Sequence, residues 1–125
     1  MDIHAEAQRL FDIYVAAYRT GDAAGCAAVF VIDGWLLSPY SRPAQGRAAI
    51  AEIHKAWTES EGSDKKEITV TTAGASGDLG WCLATYCESP SVEEGSSLNM
   101  LKRQADGRWL IRVCSINPND APLGG

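Results

Sequence analysis

Apolar side chains recur at Ile3, Ala7, Leu10, Phe11, Tyr14, Val15 and Tyr18, the spacing of one helical face, while Arg9, Asp12 and Arg19 fall off that stripe. The pattern predicts a first helix over Ile3–Thr20. Gly21 suits the left-handed position that ends such a helix, and Asp22 is placed to cap a short second one by accepting hydrogen bonds from its free amides. Cys26, Val29 and Phe30 supply the buried side of that second helix. The stretch Val31–Ser38 reads as a strand stopped by Pro39. A loop with two prolines then leads to a third helix from Arg47 to about Ser60, where Ile50, Ile53, His54 and Trp57 share a face. The polar run "ESEGSDKKE" reads as a solvated turn.

From Glu67 onward the period changes to two. "EITVTT" places Ile68 and Val70 on one side, and "LGWCLATYCE", "SSLNMLKRQ" and "RWLIRVCSIN" follow as further strands. The Asp-Gly pair in "ADGR" marks a tight hairpin between the last two. Helices first and a strand meander after them predict an α+β domain over residues 1–117, followed by a Pro- and Gly-rich tail over 118–125. The last strand is apolar on both faces: Trp109, Ile111 and Val113 alternate with Leu110, Cys114 and Ile116. A sheet with one wet face alternates more cleanly. Helices are therefore expected on one face and a second copy of the chain on the other, a homodimer through the outer sheet face.

A chain of 125 residues with net charge −5 and scattered basic residues lacks the clustered Lys and Arg of a nucleic-acid binder, and neither nucleic acid nor a membrane is expected as a partner. The opening "MDIHAEAQRLFD" carries charge where a signal peptide is apolar, so a cytoplasmic protein is expected. Cys26, Cys82, Cys87 and Cys114 form no C-x-x-C pair and lie in apolar runs, which reads as reduced core thiols. No metal site and no cofactor are expected.

Tyr14 to Phe30 meets the pattern Y-x-A-A-x-x-x-G-D-x-x-G-x-x-x-x-F; "GRAAI" at Gly46–Ile50, "GDL" at Gly77–Leu79 and "DGRWLI" at Asp106–Ile111 follow in order. With these landmarks the chain, over about Leu10 to Asn117, resembles the nuclear transport factor 2-like superfamily, in particular its ketosteroid-isomerase-like and SnoaL-like branches. The resemblance implies a cone-shaped fold, three N-terminal helices packed on a curved, mainly antiparallel sheet, with a pocket at the open end.

It also implies site residues. In the isomerases a tyrosine of the first helix donates a hydrogen bond to the substrate oxygen, which falls on Tyr14, and a second donor, an aspartic acid, aligns with Asn99. A tyrosine bonded to the first one aligns with His54. The isomerase base, an aspartate before a proline, is replaced by Ser38 before Pro39, and a serine hydroxyl takes no proton near neutral pH without a base behind it. His54, with an ordinary pKa of about 6.5, is either a proton carrier or a core histidine tying two helices together. Trp57, Leu83, Thr85 and Leu101 are candidates for the pocket wall. Arg112, in phase with Cys114 and Ile116, either enters the pocket to meet a carboxylate or reaches water at its rim. Two functions stay open. One is a pocket for a small hydrophobic or carboxylate-bearing molecule, with isomerase, dehydratase or cyclase chemistry on a carbonyl compound as its catalytic form. The other is a non-catalytic ligand-binding or dimeric assembly module.

Overall fold

A computed structural model describes residues 2–60, 62–88 and 94–119. Helix α1 spans Ile3–Arg19, α2 Ala23–Ala28 and α3 Arg47–Thr58; the strands are β1 Phe30–Leu37, β2 Ala44–Gln45, β3 Glu67–Ser76, β4 Leu79–Cys87, β5 Gly95–Arg103 and β6 Trp109–Pro118. The tail expected from residue 118 begins inside β6, since Pro118 is its last residue; residues 120–125 lie outside those described.

Local chemistry sets the helix ends. Asp2 caps α1, its side chain accepting from the amides of His4 at 3.0 Å and Ala5 at 3.3 Å. At the other end Gly21, at φ +74°, turns the chain so that its amide reaches the Tyr18 carbonyl and the Asp22 amide reaches that of Ala17 at 2.9 Å. Asp22 Oδ1 then accepts from the Gly25 amide at 2.9 Å and starts α2.

The strands form a six-stranded sheet in the order β2-β1-β6-β5-β4-β3, with β1 parallel to β6 and the other neighbours antiparallel. Three helices on one sheet give the expected α+β class. β2 was not expected: two residues inside a proline loop are too short to show a period. The helices cover one face, and α1 is stitched to β3 by Gln8, whose amide donates to the Ile68 carbonyl at 3.1 Å and accepts from the Val70 amide at 2.7 Å. These bonds fall where β3 loses register with β4, between Val70 and Thr72.

On the covered face β4 presents Gly80, Cys82 and Ala84, all buried, and Trp109 of β6 packs against Gly80. Small residues there let α1 approach the sheet. The bulky neighbours Leu79, Trp81 and Leu83 point the other way and stay exposed, together with Leu98, Met100 and Trp35. Among the described residues no helix is long and apolar enough to cross a membrane.

Candidate functional site

Helical spacing turns Phe11, Tyr14 and Tyr18 of α1 to one side, and His54 and Trp57 of α3 meet them. Between these helices and the covered face of the sheet lies a cavity of about 660 Å3, closed on the sheet side by Ile68, Ser97, Ile111, Cys114 and Ile116. That size, with an apolar wall and few polar groups, is typical of a small-molecule site.

Tyr14 Oη and His54 Nε2 are 2.7 Å apart and buried. Which of them donates follows from the other ring nitrogen. His54 Nδ1 lies 2.8 Å from the carbonyl of Ile50, which only accepts, so Nδ1 carries the proton. Burial pushes the His54 pKa down to about 4; the Ile50 carbonyl opposes this and the Lys66 charge adds to it. The ring is therefore neutral near pH 7, its Nε2 is a bare acceptor, and the phenol donates to it. Burial raises the Tyr14 pKa well above its usual value, and Cys26, Cys114, Tyr18 and Glu88 push the same way. Tyr14 thus offers the cavity a lone pair, not a proton.

Among the described residues lining this cavity, the cation is Lys66. Its side chain is only 12% exposed, and Nζ lies 4.7 Å from the ring centres of both Tyr18 and Tyr86. Glu88 Oε1 is 3.8 Å away and also accepts from Tyr18 Oη at 3.2 Å. Glu94 Oε2 in turn holds the Glu88 amide. Burial lowers the Lys66 pKa, with Glu88 and then Glu94 opposing. Arg19 Nε, at the end of α1, donates to the Lys66 carbonyl at 2.7 Å and so fixes the backbone there. Tyr86 is seated over Gly95, where a Cβ would run into its phenol. Among the described residues no group of three or more His, Cys, Asp or Glu converges on a point where a metal would sit.

Solved structures share this framework. A ketosteroid isomerase-like protein from Erwinia carotovora atroseptica superposes with TM-score 0.75 at 17% identity, covering 94% of this chain and 97% of that one. An NTF2-like protein of unknown function from Pseudomonas putida gives 0.73 at 17%, covering 92% and 85%. ActVI-ORFA from Streptomyces coelicolor gives 0.63 at 22%, covering 94% and 97%. The fold is nuclear transport factor 2-like. No known family profile and no curated protein matches the sequence. Identities this low carry the fold and not an activity.

Within the nuclear transport factor 2-like framework the expected site residues divide. Tyr14, His54, Trp57 and Cys114 line the cavity. Asn99 is fully buried on the covered face, but its Nδ2 donates to Ser97 Oγ at 2.9 Å and Ser97, not Asn99, reaches the cavity; Asn99 Oδ1 has no hydrogen-bond partner among the described residues. Leu101 is fully buried core outside the cavity wall. Ser38 lies beyond the end of β1, its Oγ accepting from the Tyr40 amide at 3.3 Å, and does not line the cavity.

Three assignments are corrected. Leu83 and Thr85 alternate with the inward Cys82 and Ala84 and so take the outer face, where Leu83 is 39% exposed. Both faces of β4 carry apolar residues, so alternation alone does not say which set faces inward. Arg112 is exposed because β6 bulges: Met100 pairs with Val113 and Leu101 with Ile111, which leaves Arg112 unpaired and breaks its phase with Cys114. The solvated-turn reading of "ESEGSDKKE" fails at Lys66. The signal was present, since Lys66 is two residues before Ile68 and four before Val70, in phase with the inner face of β3.

Proposed function

We propose that this protein binds a small, uncharged hydrophobic molecule in a cone-shaped chamber between α1, α3 and the sheet. The observation that carries this is the cavity of about 660 Å3 walled by aromatic rings. His54 stacks edge-on against Tyr14 at 5.4 Å and Trp57 at 5.0 Å, which stiffens that wall. A carboxylate ligand is disfavoured: Arg112 is exposed, and Glu88 and Glu94 already oppose the Lys66 charge. Isomerase chemistry by carbonyl polarisation is disfavoured too, because the Tyr14 proton is committed to His54 and Asn99 stands behind Ser97. Calorimetric titration with 2-acetonaphthone and with 2-ethylnaphthalene tests the reading. Saturable binding of both is expected, lost when Ser97→Phe or Ile116→Trp fills the chamber. No binding of either would overturn it.

The outer sheet face supports a dimeric form of the same protein. Across β4 and β5, Trp81 pairs with Met100 and Leu83 with Leu98, and all four are more than a third exposed. Trp35 and Val113 continue the patch onto β1 and β6. An apolar surface extending over four strands is the kind that a second copy covers. Three buried thiols, at Cys26, Cys82 and Cys114, fit a reducing cytoplasm.

A further inference from the structure

We infer that Lys66 is a nucleophilic amine that captures a neutral aldehyde or ketone in the cavity as a protonated imine, with Glu88 carrying the proton. This rests on the binding reading above and names the reactive group of its ligand. A lysine that served only as an ion-pair partner at the rim would lay its stem along apolar surface and keep its head in water. Lys66 does the reverse. Its backbone is held by Arg19, its side chain is 12% exposed, and its ammonium stands between the rings of Tyr18 and Tyr86 at the cavity wall.

Glu88 is its ion-pair partner at 3.8 Å, a separation that one bridging water spans for proton exchange, and Tyr18 Oη steadies that carboxylate at 3.2 Å. Burial lowers the Lys66 pKa against the pull of Glu88 and of the two ring faces, and so favours the free amine, which is the form that attacks carbonyl carbon. The near cancellation of one cation by its carboxylate also suits an uncharged ligand better than an ionic one.

The step balances without any further reactant. The ammonium gives a proton to Glu88. The Nζ lone pair then forms the C–N bond while the carbonyl π pair moves onto oxygen, and a proton passes from nitrogen to that oxygen to give the carbinolamine. Glu88 returns its proton to the hydroxyl, which leaves as water as the nitrogen lone pair forms C=N. A protonated imine faces the regenerated carboxylate, and nothing has been oxidised or reduced.

The test is reductive trapping of the wild-type protein with 2-naphthaldehyde and sodium cyanoborohydride at neutral pH, read by peptide mapping. Lys65 and Lys102 in the same chain are the internal controls. Lys66 is expected to label faster than either control, since burial lowers its titration midpoint and so raises its free-amine fraction. Glu88→Gln removes the proton carrier and is expected to slow labelling at Lys66, although loss of the carboxylate charge by itself frees more amine, and to leave Lys65 unchanged. Calorimetry with 2-ethylnaphthalene, which has no carbonyl, runs alongside. Hydrocarbon binding with Lys66 labelled no faster than Lys65 would overturn the imine and leave the binding reading standing. Loss of both binding and selective labelling would overturn both.

Discussion

His54 accepts the hydroxyl proton of Tyr14 across 2.7 Å, because the Ile50 carbonyl at 2.8 Å already takes the proton of its other ring nitrogen. Of the two sequence readings of His54, a proton carrier or a core histidine tying two helices, this bond matches the second. The open chemistry of the chamber lies on the far side of Tyr18, at Lys66 and Glu88.

Burial of His54 makes stability depend on pH in one direction. The folded His54 titrates near 4 and the unfolded one near 6.5, so between these values only the unfolded chain binds the proton. The contribution is fully present above about pH 6.5 and is lost as pH falls toward 4, on the order of 3 kcal/mol in all. Urea midpoints measured at pH 7.5 and 5.5 check this. The wild type is expected to lose stability across the interval and His54→Phe to lose much less.

Tyr14→Phe keeps the ring and removes the donor, leaving the buried His54 Nε2 unsatisfied. A loss of about 1–3 kcal/mol is expected from urea unfolding. Binding of 2-ethylnaphthalene, which needs no hydrogen bond, is expected to persist in the folded variant.

Gly95→Ala tests how Tyr86 is seated. The added Cβ would meet both the Tyr86 phenol and the Asn117 carbonyl, 2.7 Å away, so the phenol must move off Lys66. A destabilisation of about 1–3 kcal/mol is expected. The rate of Lys66 labelling by 2-naphthaldehyde is expected to change while that of Lys65 does not.

The outer face is tested by Leu83→Glu combined with Leu98→Glu, which sets two like charges opposite each other across β4 and β5. Sedimentation equilibrium is expected to give a dimer for the wild type and a monomer for the variant. A monomeric wild type would remove the dimer reading.

The helices were legible because Leu10, Phe11, Tyr14 and Tyr18 repeat at a period that polar residues respect, and because Gly21 and Asp22 carry the chemistry of a stop and a start. The meander was legible from its turns. What failed was the assignment of inner and outer faces. On β4 both faces are apolar, so alternation of Trp81 and Leu83 with Cys82 and Ala84 marks a strand without saying which set meets the helices. On β6 the bulge at Arg112 shifts the phase by one residue, and a bulge leaves no periodic trace. Lys66 was hidden by composition: it lies inside a polar run, and only its step of two from Ile68 separates it from its exposed neighbour Lys65.

The central claim is an open chamber that takes a neutral hydrophobic ligand, and a crystal structure of the protein with 2-acetonaphthone tests it most directly. Ligand density is expected between Tyr18, Trp57 and Ile116, with the Tyr14–His54 bond intact. A chamber filled by the protein's own side chains, or a ligand bound only elsewhere, would contradict the account.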